Sequence, residues 1–408
     1  MALMENWGTL APEGLGSLRR QQDLGLGGAV RHYNDRSVPG LGGLWYPMPL
    51  VWSVLAIAQA ERLKRNAIPV GNAIEALAMH GVRGASSNRM RGARKLQSVE
   101  DTSFANLSRW GVYVTQPVRM AMVQPMVSLG FAQGTRYGGF TLADAGRKML
   151  DLPSVAGWHK AMTAWTAGGT PKKGVVGALS PDAALPLEVR KLIERCLLEG
   201  HKPGDPGAAR RRALVALGTG PTVTQLEGSA PLNGLAADHA IDLRAGAAFV
   251  DLRDCAFNLL RAVEGKLLER RDQNLPTRLP VGEAVSLLGN ELAKLHRVAE
   301  ANAARILAGA ERDSMRFLRE CLDLDEADLL RQLAGRDSSV ICLRGDDLVA
   351  GPAAGDLRGY EASDETVLPE AESAFAPQLY RLANLNAVMR ELRGETNPIT
   401  SDEAEDAA

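Results

Sequence analysis

Six histidines and four cysteines are the residues of this 408-residue chain best suited to metal binding or nucleophilic chemistry, and their spacing supports neither. His32, His80, His159, His201, His239 and His296 are scattered, with no pair one helical turn apart on a shared face. A helical zinc site needs that spacing, as in H-E-x-x-H, because two ligands must converge on one ion. Cys196, Cys255, Cys321 and Cys342 form no C-x-x-C pair, and Cys255 and Cys321 fall on helical apolar stripes. They read as buried, reduced thiols, which suits a reducing compartment. The nearest thing to a metal cluster is Asp238-His239 with Asp242. His239 and Asp242 share a helix face, but so small a ligand set does not make a zinc site, so the expectation is a salt-linked helix face. Leu24-Gly25-Leu26-Gly27-Gly28 spells a loose G-x-G-G, yet no strand precedes it and no Lys-Ser/Thr follows. A phosphate loop needs both, so turn chemistry is expected there. No G-x-S-x-G or P-loop motif occurs. The expectation is no catalytic residue, no metal and no cofactor, with a nuclease lacking any recognisable motif as the enzymatic alternative.

Charge is more informative. The net charge of −1 conceals a block at 61–150 with thirteen Lys/Arg against five Asp/Glu, a net of +8. The remainder from 151 onward is acidic. A basic block is the electrostatic footprint of a polyanion binder. Within it, residues 100–150 follow the order of a winged helix-turn-helix. Thr115 caps a helix with Pro117 just inside it, and Val118, Met122, Met126 and Leu129 recur at helical spacing. Pro125 must kink or split that helix, and Gly130 stops it. Phe131-Ala132-Gln133 and Gly139-Phe140-Thr141 then pair around a Gly-rich tip, and a second helix carries Leu142, Ala145, Met149 and Leu150. In this fold the recognition helix, here the one from Thr115, enters the major groove. Gln116, Arg119, Gln124 and Ser128 would be its exposed residues, with Arg136 and Tyr137 at the wing tip. The candidate nucleic-acid-binding residues are therefore Gln116, Arg119, Arg136 and Tyr137. Arg119 is the single cation on the helix, too thin a surface to read sequence.

The elements that must position these residues are helical. Apolar residues make up 45% of the chain and aromatics 5%, so its cores are built from Leu, Val and Ala. A core helix starts near Pro47 or Pro49, with Leu50, Val51, Val54, Leu55 and Ile57 on one face. A second runs through Gly71–His80, followed by a basic loop or exposed helix face over 81–96. Residues 1–45 read as mostly irregular. Arg210-Arg211-Arg212 is a second small basic cluster or simply a helix surface. From about 236 to 335 the helical period is sustained. Val340–Leu343, Gly345-Asp346-Asp347 and Leu348-Val349 read as a small hairpin. A last helix spans Ser373–Arg393, and the acidic end from 395 to 408 is expected to be disordered. The fold class is mostly α: a winged helix-turn-helix module plus a larger helical domain with a small β-hairpin. The organisation is an N-terminal region to 150, a connector over 151–235, a helical domain over 236–394, and the tail. There is no signal-peptide pattern, and the longest apolar stretch, Leu50–Ala60, is about half a membrane span. A cytoplasmic protein with no membrane contact is expected.

Several short motifs carry a resemblance. Asp23-Leu24-Gly25-Leu26-Gly27, then Val38-Pro39-Gly40-Leu41 and the apolar helix from Leu50, resemble the start of an uncharacterised bacterial family encoded in anti-phage defence islands beside helicases. Leu107-Ser108-Arg109-Trp110-Gly111 is similar to that family's pattern. So are Asp254-Cys255-Ala256-Phe257-Asn258-Leu259-Leu260 and Arg381-Leu382-Ala383-Asn384-Leu385. The match covers about a third of the chain, and it carries over no site, since function resides in sites and that family has no established catalytic residues. It implies a helicase- or nuclease-associated setting. Together these features predict a non-enzymatic accessory subunit of a DNA-handling or anti-phage defence complex. Its winged helix would contact double-stranded DNA non-specifically, a partner protein such as a helicase or nuclease, or both. The alternative is a scaffold that binds protein alone.

Overall fold

The computed structural model describes residues 24–81, 89, 91–218, 223–228, 230–351 and 379–395. These are mostly helical, with short antiparallel strands. The chain divides into two compact units, Tyr33–Leu243 with Ala362–Ala408, and Met1–His32 with Arg244–Glu361. Two of the junctions lie inside the helices Gly27–Ser37 and Ala237–Asp272 and not at 150 or 235, where composition changes.

The first unit opens in α1 (Gly27–Ser37) and continues through α2 (Met48–Leu63), α3 (Ala67–His80), α4 (Ala93–Gln97) and α5 (Phe104–Leu107). A 3-10 turn, Val118–Met122, leads into α6 (Val123–Ser128). The hairpin of β1 (Ala132–Gln133) and β2 (Thr141–Leu142) follows, then α7 (Asp144–Leu150), α8 (Pro153–Thr166), α9 (Lys173–Ala178), α10 (Leu187–Glu199), α11 (Pro206–Ala216), α12 (Val223–Glu227) and the first turns of α13 (Ala237–Asp272). The second unit holds the rest of α13, β3 (Arg278–Pro280), α14 (Val281–Leu287), α15 (Gly289–Gly309), α16 (Arg312–Asp323), α17 (Glu326–Asp337), β4 (Ile341–Arg344) and β5 (Asp347–Ala350). The last helix, α18 (Tyr380–Arg393), belongs to the first unit. The expected start of α18 at Ser373, residues 82–88 and 90 of the basic stretch after α3, and the acidic tail beyond 395 lie outside the described residues.

Helix α2 is the centre of the first unit. Every residue from Met48 to Ala60 is buried, so this helix is apolar all round and needs neighbours on every side. Pro49 occupies its first turn, where the missing N–H costs nothing. It packs against α3, α7 and α8 and against the β1–β2 hairpin. In the second unit the foreseen hairpin forms with Leu343 opposite Leu348, turning at Gly345 with φ +63. A third strand not foreseen, β3, pairs with the other edge of β5 through Leu279 and Leu348.

Two local expectations change, and a third, the split at Pro125, holds. Gly27-Gly28 is the first turn of α1, which forms because Ala29, Val30, Tyr33 and Ser37 are buried along one face. The helix expected from Thr115 begins at Val118, capped by Pro117, whose φ of −69 and ψ of 158 are extended. Pro125 splits the run: the residues before it form the 3-10 turn, and Pro125 itself sits in the first turn of α6, where proline is tolerated.

Candidate nucleic-acid interface

Helices α2 and α3 are joined by a three-residue turn. Lys64 adopts the left-handed conformation, with φ 51, and ends α2; Asn66 starts α3 by accepting the Ile68 N–H at 2.8 Å. Such tight capping fixes Lys64 and Arg65 at the tip of a rigid turn, both exposed. The β1–β2 hairpin is laid against this turn. A Cβ on Gly138 would fall 2.7 Å from the Asn66 side chain, so the tip approaches the turn backbone to side chain. Behind it the Leu142 N–H donates to the Glu61 carboxylate at 2.8 Å. Arg136, two residues from Gly138 and exposed, therefore belongs to the hairpin segment that meets the Lys64–Asn66 turn. Among the described residues none of the three makes an ion pair.

The hairpin is short, with the two pairs Ala132–Leu142 and Gln133–Thr141. Its aromatic residues face inward. Tyr137 is 4% exposed, hydrogen-bonded to Ser53, and packed over Gly71 of α3. Burial pushes its phenol up to about 12. Tyr137 is thus a core residue and not a phosphate contact: its ring fills the space that the missing Cβ of Gly71 leaves. Arg119 lies alongside, its guanidinium 5.5 Å from the Tyr137 ring centroid and its Nε donating to Asn72. It is half-buried, and burial lowers its pKa, so its role is to tie the Pro117–Met122 turn to α3.

Glu75, one turn further along α3, completes that tie. It is 1% exposed and accepts the N–H groups of Val118 at 2.7 Å and Arg119 at 3.1 Å, and the Tyr113 hydroxyl at 3.0 Å. These are the unsatisfied donors that open a helix, supplied here with an acceptor from another helix. Burial raises the Glu75 carboxyl against the opposing pull of these hydrogen bonds. Gln116 is exposed, and its carbonyl accepts from Arg91 at 3.4 Å. Gln124 and Ser128, expected to be exposed, are not: Gln124 donates to Asp35 at 2.8 Å, and Ser128 packs against Gly40. Asn66 and Glu75 are nine residues apart on α3, about 13 Å at 1.5 Å per residue. Gln116, near the Glu75 end, and Arg136, near the Asn66 end, are therefore separate points and not one reading helix.

The four sequence-derived residues thus separate into two exposed ones, Gln116 and Arg136, and two that build the core behind them, Tyr137 and Arg119. Sequence reasoning missed Lys64 and Arg65 as partners of Arg136. The available signal was a basic tripeptide-like stretch, Arg62 to Arg65, ending an apolar helix just before an Asn cap.

The other clusters resolve as internal struts. Asp242, its side chain 4% exposed, is held by Arg36 at 2.7 Å and Arg210 at 2.7 Å, and Arg210 also reaches Asp238 at 2.6 Å. His239 hydrogen-bonds the Ser37 carbonyl at 2.8 Å, and burial lowers its pKa. This is the salt-linked face expected for Asp238, His239 and Asp242. Among the described residues no group of three His, Cys, Asp or Glu is placed to hold a metal ion. Arg211 is buried, donating to the carbonyls of Leu197 and Pro39, and Arg210 is held by Asp238 and Asp242, so of the Arg210–Arg212 cluster Arg212 alone is exposed. No helix among the described residues is long and apolar enough to cross a membrane. Comparison with known proteins yields no matching family, no matching curated protein and no matching solved structure.

Proposed function

We propose that this chain is a non-enzymatic accessory subunit that grips the phosphate backbone of double-stranded DNA without reading sequence. The observation that supports this is that the exposed cations Lys64 and Arg65 lie on the turn met by the hairpin that carries exposed Arg136, all three free of ion pairs among the described residues. Cations presented on a rigid turn suit phosphates, and Glu61, the acidic neighbour one turn earlier, is engaged by the Leu142 N–H and makes no ion pair with them among the described residues. The module is a winged-helix variant whose wing is anchored inward by Tyr137 and presents its tip alone. Its reduced helix exposes no row of base-edge donors, which favours backbone contact over groove readout. The helices of the second unit would serve a partner such as a helicase or nuclease, the setting that the defence-island resemblance implies.

Anisotropy of a labelled duplex, titrated over a range of salt, tests this. Each phosphate contact contributes about 0.9 to the slope of log affinity against log salt, so three contacts give about 2.7. Affinity should then fall roughly 40-fold between about 50 and 200 mM salt. The variant Lys64→Ala/Arg65→Ala/Arg136→Ala should lose most of that slope. Absence of duplex binding at low salt, or a triple variant with the wild-type slope, overturns the proposal.

A further inference from the structure

Trp110 is 97% exposed, the extreme among the large apolar side chains described. Of the other described tryptophans, Trp52 and Trp165 donate their indole N–H to the Leu179 and Thr102 carbonyls, Trp45 stacks edge-on with Tyr46, and Trp158 is half-buried. An indole left wholly in water forgoes the burial that dominates folding, so its place needs a reason.

The segment that carries it is firmly held on both sides. Before it, Ser103 caps α5 by accepting the Asn106 N–H, Phe104 sits edge-on to Trp165 at 5.4 Å, and Leu107 is fully buried. After it, Tyr113 is buried with its hydroxyl on Glu75. Gly111, with φ +85, turns the chain between these anchors, and nothing lies within 4 Å of where its side chain would be. Trp110 is thus presented on a fixed tip and not on a loose end.

The surroundings of that tip are cationic and polar. Ser108 and Arg109 precede Trp110, and Arg109 is exposed with no ion pair among the described residues. The Arg91–Gly92 segment runs beside the tip, since Tyr113 also reaches the Arg91 carbonyl and Gly92 packs on Val114 and Tyr113. A protein-docking tryptophan sits within a ring of water-excluding neighbours, often apolar. Here the next exposed large apolar residue along the chain is Met120. A flat aromatic face beside an exposed cation, Arg109, suits a ligand that is itself flat and anionic. Single-stranded nucleic acid is bound by that combination: bases stack on aromatic rings while cations follow the phosphates. A duplex stacks its bases on one another and offers no free face.

We propose that Trp110, flanked by Arg109, is a stacking platform for an unpaired nucleotide, so that the preferred ligand is DNA carrying a single-stranded segment. This rests on the nucleic-acid reading above and narrows its substrate. The test uses the full chain with two labelled probes, an oligo-dT strand of about 20 nucleotides and a blunt duplex of about 20 base pairs. Trp110→Ala should weaken oligo-dT binding by about tenfold, within the range for losing one base–aromatic stack, and change duplex binding less than about twofold. Trp110→Phe should restore most of the loss. The melting temperature should stay at the wild-type value, because the side chain touches no core. Wild-type tryptophan fluorescence should be quenched by oligo-dT, and that quenching should be reduced in Trp110→Ala. If Trp110→Ala binds oligo-dT as wild type does, or loses both probes equally, the stacking proposal fails while the Lys64–Arg65–Arg136 interface stands on its duplex data. Failure of the wild type to bind either probe removes the nucleic-acid reading itself. Loss of a co-purifying protein on Trp110→Ala, with oligo-dT binding intact, shows instead that the tip docks protein.

Discussion

Replacing Glu75 should unfasten the segment that carries both Gln116 and Arg119. Its two carboxylate oxygens accept three donors inside the first unit: Val118 N–H, Arg119 N–H and Tyr113 O–H. In Glu75→Ala the Val118 and Arg119 N–H groups would lose their acceptor, and Tyr113 would keep only its longer contact to the Arg91 carbonyl. Each such donor costs about 1–3 kcal/mol, and coupling within the network brings the total to about 3–5 kcal/mol. Against a domain stability of about 5–15 kcal/mol, that is a substantial loss. Glu75→Gln keeps one acceptor oxygen but turns an NH2 group toward a donor, for a cost of about 1–2 kcal/mol. Chemical denaturation followed by tryptophan fluorescence would show the order wild type, Gln, Ala in the first transition; the two units need not unfold together. Glu75→Ala within about 1 kcal/mol of wild type would refute the idea that this carboxylate fastens the turn to α3. The pH dependence is a second check. Burial holds the Glu75 carboxyl above its ordinary value. A raised folded-state pKa means the folded form retains its proton while the unfolded form has released it. Its contribution is therefore complete below about pH 4.3 and is lost as pH rises through the folded-state value. The stability gap between wild type and Glu75→Gln should be wider at low pH than at neutral pH. A gap that widens with pH would mean that the three hydrogen bonds outweigh burial.

Two further outcomes follow from packing. Gly146→Ala in α7 should gain about 1 kcal/mol in helix propensity yet lower stability overall by about 1–2 kcal/mol. The reason is that its Cβ would fall 2.2 Å from the Phe131 carbonyl oxygen, a backbone atom that cannot swing away; thermal unfolding above the wild-type midpoint would contradict this. In native protein, a thiol reagent should modify Cys342 first and leave Cys196, Cys255 and Cys321 slow until denaturant is added. Cys342 is half-buried, while burial raises the Cys196 thiol to about 11 and also pushes up those of Cys255 and Cys321. Rapid labelling of Cys321 in the folded chain would show that the second unit's core opens readily.

Strong local periodicity made the main helices readable from sequence alone. Leu50–Ala60 is unbroken and apolar, so α2 had to be a core helix; α13, α15 and α18 repeat Leu and Val at helical intervals; Gly345 between two apolar runs gave the hairpin of β4 and β5. The absence of metal spacing around His239 likewise pointed to an ion-paired face, and Asp242 is indeed held by two arginines. Other features had no local signal. Strand β3 is three residues long and exists because β5 offers it an edge. Helix α1 opens with two glycines, which argue against a helix until the burial of Tyr33 and Ala29 is known. Exposure was the hardest quantity to foresee. The sequence marks Tyr137 and Arg119 as polar-tipped and basic, and hence candidates for a surface; Gly71 and Asn72 of α3, more than forty residues away, draw them inward. Trp110 is an apolar residue that belongs in a core by type, and the two anchors at Leu107 and Tyr113 hold it out. The sequence by itself determined the long periodic helices, the β4–β5 hairpin and the basic character of 61–150, because hydrophobic period and charge are written residue by residue. The tertiary structure alone decided which cations stand together and which aromatic ring meets water, because both depend on contacts between segments that no local pattern encodes.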